Sequence, residues 1–284
     1  MKKLGVFVLA FFMQQISAQT NRFVYQVTMK PDIDNKTDIK TENAYLDISA
    51  EKSVFYSENR LKRDSIMQKA FQGGGRGSIN RDQMETLRSN INYSIEKDKT
   101  NQKVFFKDRI GRDLYSYEED RPMNWKISSE TRKIGEYKVQ KAETDFGGRK
   151  WTAWFTTDLP YQDGPYKFGG LPGLIVKVED DKGDYSFDLM KNYKIAEFPV
   201  MNQFGNTIKV KRADFVKQQK KFIADPMSFM SQGGGQGGFS TTMRIGGGRG
   251  SGGGGNQNPG DMKKRMEERV KEEAKKNSNP IELQ

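Results

Sequence analysis

Along most of its length the chain repeats one pattern: a short segment alternating apolar and polar residues, then a polar or glycine-containing turn. "RFVYQVTM" sets the example, with Phe23, Tyr25 and Val27 falling on one side. A period of two sends successive side chains to opposite faces of a pleated strand, so one face can be buried while the other is solvated. "AYLDIS", "SVFYS", "NYSIEK", "KVFFKD", "DLYSYEE", "NWKIS", "YKVQKAET", "KWTAWFTTD", "LIVKVE" and "DYSFDLM" repeat it. Gly147-Gly148 in "DFGGR" and the "DDKG" string read as hairpin turns, because glycine reaches positive φ without a Cβ clash. The expected fold is mainly β (α+β): about eight to ten strands in one large, curved antiparallel sheet or partial barrel, with a few packed helices.

Helical spacing breaks this pattern in few places. Residues 57–71 carry Ser57 as an N-cap and Leu61, Met67, Ala70 and Phe71 as an inward stripe. "QGGGRGS" stops that helix, and a second one starts at Asn80, with Gln83 three residues on and Met84, Leu87 and Ile91 as its apolar positions. "RADFVKQQKKFIADP" predicts a third, with Phe215, Val216, Gln219, Phe222 and Ile223 on one face and Pro226 as its stop. The domain reading is a single β-rich unit over 19–230 with a helical insertion around 57–91. A glycine-dominated stretch at 231–260 reads as a flexible, disordered linker, having too little apolar surface to offset its ordering entropy. Residues 261–284 read as a charged helix and a terminal "NPIEL" string. Met262, Met266, Val270 and Ala274 form a thin stripe, which predicts a helix that is solvated or docks weakly; Glu267–Lys271 and Glu272–Lys276 are favourable pairs.

The ends and two missing residue types bound the function. "MKKLGVFVLAFFMQQISAQT" has a basic start at Lys2 and Lys3, an apolar run from Leu4 to Met13 and a small-residue cut after Ala18. Residues 1–18 are therefore expected to be a signal peptide, placing the protein in the periplasm, at the outer-membrane periphery or outside the cell. The apolar run is too short to cross a bilayer of ~30 Å as a helix, and no transmembrane segment is expected. With no cysteine, stability rests on buried apolar surface. The lack of histidine removes the usual Ser-His-Asp and zinc arrangements and leaves acid–base work to carboxylates, Lys or Tyr. No cofactor is implied. The net charge of +11 is dispersed among acidic residues, which argues against a specific nucleic-acid track.

Chemistry, if any, centres on "WFTTDLPYQDGPYKFGGLPGLIVKVED". Its glycines do not make a phosphate loop: Gly173 runs into Leu174-Ile175-Val176, a strand, with no helix N-terminus and no following Lys-Ser/Thr. Pro160, Pro165 and Pro172 fix φ, while Gly164, Gly170 and Gly173 permit turns, and Leu171–Leu174 suits a type II turn. The loop is then a stiff connection whose Phe168, Leu171 and Leu174 pack on the sheet. The same loop, flanked by Asp158 and Asp163, could instead rim a ligand or partner site. Asp158 and Asp163 near Trp151, Trp154 and Tyr161 also permit a carboxylate pair for polysaccharide hydrolysis, though nothing fixes their separation. Those two tryptophans and Trp125 read more simply as core and sheet-face residues. "EDDKGD" (Glu179–Asp184) is open to two readings, a Ca²⁺ cluster or a solvated hairpin turn, and it lacks the twelve-residue calcium-loop pattern.

The string "GLPGLI" at Gly170–Ile175, its upstream "DGP", and "NPIEL" at Asn279–Leu283 resemble the GLPGLI family of secreted Gram-negative envelope proteins. The resemblance runs over nearly the whole chain after residue 18. This chain departs from the pattern in its glycine-rich tail and its "GGGRG" insertion. The resemblance implies an exported protein and no particular activity. The expected function is a non-catalytic binding or scaffold module for an apolar ligand, a lipid or peptide segment, or an outer-membrane partner. Its contacts are expected at Asp158, Pro160, Asp163, Gly164, Pro165, Phe168, Gly170, Leu171, Pro172 and Gly173. A carboxylate hydrolase of envelope or extracellular polymers is the alternative.

Overall fold

The structure is a computed structural model that describes residues 20–72, 80–199, 207–226 and 259–283. The expected signal at 1–18, the "GGGRG" insertion and the glycine-rich stretch up to residue 258 lie outside the described residues.

Twelve strands form a single sheet. They are β1 (Thr20–Met29), β2 (Lys40–Ile48), β3 (Lys52–Ser57), β4 (Ser94–Asp98), β5 (Lys103–Ile110) and β6 (Asp113–Glu118). The second half of the sheet comprises β7 (Lys126–Ile134), β8 (Tyr137–Phe146), β9 (Arg149–Thr156), β10 (Leu174–Asp180), β11 (Tyr185–Ile195) and β12 (Thr207–Val210). Their order is β12-β6-β5-β4-β3-β2-β1-β11-β10-β9-β8-β7. Two antiparallel meanders, β1–β6 and β7–β11, are thus joined where β1 pairs with β11. The hairpin glycines behave as expected: Gly147 and Gly148 take φ of 61° and 79° between β8 and β9, and Gly183 takes 62° between β10 and β11.

Three expectations are corrected. The sheet has twelve strands where about eight to ten were expected. The sheet is mixed, not wholly antiparallel, because β12 runs parallel to β6. "TIKV" is a short strand with no turn signal linking it to β6, and a parallel partner needs a long return connection that leaves no local trace in sequence. The sheet is also open: β12 and β7 are its two ends. β7 carries Lys126, Glu130, Arg132 and Lys133 on a largely exposed strand, the charged edge that discourages pairing with another chain. Curvature comes from register slips at Val24/Tyr25, Ile127/Thr131 and Ile175/Lys177, since a bulge bends the strand that carries it.

The main core lies on the face of β1 that carries Phe23, Tyr25 and Val27, and it draws in residues from both meanders. Val24, on the other face, packs with Tyr45, Val54 and Tyr56. Four helices are described: α1 (Glu58–Gln72), α2 (Arg81–Thr86), α3 (Arg212–Ala224) and α4 (Pro259–Lys276). Ser57 caps α1 by accepting from the Arg60 amide at 3.2 Å, and Asn80 caps α2 by accepting from Asp82 and Gln83. Leu61 of α1 joins the Val24 cluster, and Phe215 of α3 meets Phe106 and Tyr117 in the main core, with ring centroids 5.4 and 5.3 Å apart. Val270 of α4 is buried and the helix lies beside α3, so its thin stripe does dock.

One polar cluster ties β1, β2 and β3 together. Arg22 donates two hydrogen bonds to Asp47, each 2.7 Å, and the Tyr56 hydroxyl donates to the same carboxylate at 2.5 Å. Removing one member of such a buried pair strands the other. Asp47→Ala is expected to cost about 3–5 kcal/mol, read as a lower urea midpoint with an unchanged slope.

Candidate functional site

The seventeen residues between β9 and β10, 157–173, fold inward. Phe168 is fully buried and lies against Trp151, Tyr166, Phe187, Trp125 and Phe146, at centroid distances of 4.7 to 6.4 Å. Leu171 and Leu174 are buried beside it, and the Tyr25 hydroxyl donates to the Ile175 carbonyl at 2.6 Å. The bend of the sheet is therefore filled by this loop. Trp151 and Trp154 are buried and Trp125 is partly so, with the Trp125 indole donating to the Gly169 carbonyl at 2.9 Å. All three serve packing.

Of the expected site residues, Asp163, Gly164, Pro165, Phe168, Leu171 and Gly173 are buried, while Asp158, Pro160, Gly170 and Pro172 are exposed. The glycines act in different ways. Gly170 has φ of +83° with nothing near a would-be Cβ. At Gly173 a Cβ would stand 2.1 Å from the Thr156 carbonyl oxygen, and at Gly164 2.8 Å from the Ile175 side chain. The expected type II turn does not form. Instead the Gly173 amide donates to the Leu171 carbonyl at 2.7 Å, a three-residue turn about Pro172. Close approach to the end of β9 takes precedence over the usual turn geometry.

What braces the loop was missed in the sequence. Lys97 of β4 is buried, and its ammonium donates to the Asp163 carboxylate (2.7 Å) and to the Gly164 and Phe168 carbonyls (2.7 and 2.5 Å). All three of its donors are used. Burial pulls the ammonium below its ordinary pKa, against the pull of Asp163. A signal did exist: in "SIEKD" the period of two puts Lys97 on the same face as the core residue Ile95.

Lys167, also buried, points the other way. It donates to the Tyr117 hydroxyl at 2.9 Å, to Glu119 at 2.6 Å and to Glu282 at 2.5 Å. Glu282 belongs to the "NPIEL" string, so the two sequence motifs meet in space. Arg121 closes the cluster by a fork on Glu119 and a 2.6 Å bond to Glu282. Tyr166, whose φ of 52° is unusual for an aromatic residue, donates to Glu282 at 2.5 Å. Packing against Tyr93 and Phe168 holds that backbone in place.

A second cluster anchors the start of the string. The Arg149 side chain is fully buried and donates to Asp180 (2.7 Å), to the Asn279 side-chain oxygen (2.7 Å) and to the Pro280 and Ile281 carbonyls (2.8 and 3.1 Å). Asp184 accepts from Lys36 and Asn279, and Asp180 accepts from the amides of Asp184 and Tyr185. "EDDKGD" is therefore only partly a solvated turn: Asp180 and Asp184 are buried ion-pair partners. Among the described residues no group of three or more acidic side chains is placed to hold a metal.

The electrostatics follow from these contacts. Burial pushes the Glu119 carboxyl up, but the Arg121 hydrogen bonds and the Lys167 charge outweigh it and bring it to about 2. Glu282 likewise ends below its ordinary value, with Lys167 outweighing burial. Asp108 of β5 goes the other way: burial lifts it to about 6 despite the Arg109 amide and the Arg60 charge. Asp158 and Asp163 do not form a pair for hydrolysis, since Asp163 is buried on Lys97 and Asp158 is at the surface.

A family model described as "Protein of unknown function (Porph_ging)" matches residues 146–177, the segment that holds Arg149, Asp163, Lys167 and Phe168. Among curated proteins none matches the chain. Two solved structures of PNGF-II, in space groups P21 and C2, are similar in fold. Each has a TM-score of 0.52 and 18% identity over 72% of this chain. The match covers 34% and 33% of those chains, so this chain spans about a third of their length. At that identity the likeness is one of fold.

Two predictions follow from the loop and its clusters. Gly173→Ala must displace the Thr156 backbone and is expected to cost more than about 3 kcal/mol, whereas Gly170→Ala pays only for its left-handed backbone, about 1–2 kcal/mol; urea unfolding of both separates steric from conformational need. Glu119 and Glu282 have lowered folded pKa values, so the stability they add is complete above the ordinary glutamate value of 4.5 and is lost as pH falls toward 2. Thermal unfolding across pH 2 to 5 is expected to show a decline that Glu119→Gln flattens.

Proposed function

We propose that the chain is an exported envelope protein of the GLPGLI type that works as a non-catalytic binding or scaffold module. Its signal sequence directs it to the periplasm, the outer-membrane periphery or the exterior. Its partner is an outer-membrane protein, a lipid or a peptide segment, met by the outer rim of the loop: Asp158, Pro160, Gly170 and Pro172. The observation that carries this reading is the division of the loop into two halves. Its inner half is taken up by packing and by the Lys97 ammonium, which spends its three donors on Asp163, Gly164 and Phe168. Its outer half is solvent-exposed on that stiff support, the arrangement of a contact loop on a rigid scaffold. A filled bend also argues against an apolar ligand inside the sheet.

The second reading, a carboxylate hydrolase of envelope or extracellular polymers, is favoured by carboxyls that burial lifts: Asp108, pushed up to about 6, with Glu42 and Asp64 shifted in the same direction.

The test uses immobilised full-length protein and native envelope extract. Asp158→Lys and Pro172→Lys are expected to keep the wild-type melting temperature and lose at least tenfold of the captured partner. Unchanged capture by both variants would remove the rim from the reading. Turnover of a polymer by the wild type, abolished by Asp108→Asn, would replace it with the hydrolase.

A further inference from the structure

The terminal string is held as a ligand is held. Each polar group of Asn279 has a partner. Its amide nitrogen donates to the Lys30 carbonyl and to Asp184, at 2.7 and 3.0 Å, and its side-chain oxygen accepts from Arg149. Its backbone N–H donates to the Pro31 carbonyl and its backbone carbonyl accepts from Tyr185, both at 2.7 Å. Arg149 then reads the next two carbonyls, Ile281 packs on the core, and Glu282 meets Lys167, Tyr166 and Arg121. The Leu283 amide donates to the Gly147 carbonyl at 2.6 Å, and Gly147 faces Glu282 so closely that a Cβ there would stand 2.9 Å from the Glu282 side chain.

The cations of the receiving side keep some of their partners without the string. Arg149 keeps Asp180 and Asp184, while Lys167 and Arg121 both keep Glu119. Around Glu282, however, Lys167 and Arg121 face Glu119 as the single carboxylate of the domain, so one negative charge is wanted there. An empty groove would be a preformed, electropositive slot for an extended segment, with an amide reader at one end and a carboxylate reader at the other. Residues 227–258 stand between α3 and α4, and a connection of that length reaches on the order of 100 Å when extended. The string is tied to the domain by the contacts of Asn279, Glu282 and Leu283, and α4 before it lies beside α3.

We propose that the groove built by the Gly147–Arg149 turn, the Asp180–Tyr185 turn and Tyr166-Lys167 is a peptide-binding site for Asn-Pro-aliphatic-Glu segments, filled here by the chain's own residues 279–283. A segment of the same chemistry from another chain takes its place when the resident one leaves. This does not depend on the rim of the loop, which faces solvent elsewhere in the sequence 158–172.

The full chain carrying a specific protease site within residues 245–255 is cut, and a labelled peptide of residues 278–284 is titrated. The cut chain is expected to keep its C-terminal fragment, which begins at the cut, on gel filtration and to release it as the labelled peptide binds saturably. Peptides with Glu282→Gln or Asn279→Ala are expected to compete at least tenfold less well. Uptake by the uncut chain is expected to be at least tenfold weaker, because its own string competes at high local concentration. Tryptophan fluorescence reports whether the β core persists. Unfolding on cutting, release of the fragment only together with loss of the core, or equal competition by a scrambled peptide would each overturn the proposal and make the string an ordinary part of the core.

Discussion

Lys97 brings a full positive charge to the inner face of the sheet, where water cannot solvate it, and the loop between β9 and β10 is what answers that charge. Asp163 and two backbone carbonyls close around the ammonium, and in doing so they fix the path of the chain from Tyr161 to Phe168. Phe168 is then seated among Trp151, Tyr166 and Phe187 in the main core. A buried ammonium left without these partners would be costly, so the loop and the β4 strand are mutually required. The glycines serve this arrangement: Gly164 and Gly173 let backbone and side chains approach at distances a Cβ would forbid.

The same loop buries a second cation among core rings, Lys167 over Phe106, Tyr117 and Tyr166. Lys167, within the β9–β10 connection, and Arg149, at the start of β9, hold the far end of the chain against the sheet. Ion pairs buried this deeply contribute more to a specific geometry than to raw stability, because desolvation offsets much of their attraction. They choose one arrangement of loop, turn and tail from the many that apolar packing alone would tolerate.

Much of the fold was legible. Alternation located β1 to β6 and β8 to β11 because each buries one face and exposes or partly exposes the other, and Phe23, Tyr25 and Val27 lie in the core as their spacing requires. The caps Ser57 and Asn80 and the hairpin glycines act through neighbours a few residues away, so local sequence suffices to find them. β12 was not legible: four residues carry too little pattern, and its parallel partner lies far back in the chain. The site was half legible. The loop stood out by its glycines and prolines, but Arg149 and Arg121 look in sequence like any solvated cation, and Lys97 is marked only by sharing the Ile95 face of β4.

By itself the sequence determined a β-rich chain without thiol or imidazole chemistry, and it marked "DGPYKFGGLPGLI" and "NPIEL" as unusual strings. Periodicity and residue type are local properties, and they reach that far. Only the tertiary structure decided that these strings touch, that Asp163 is an internal counter-ion, and that the bend of the sheet is filled. Those outcomes depend on which charges are stripped of water together, and desolvation is set by the assembled fold, not by neighbours along the chain.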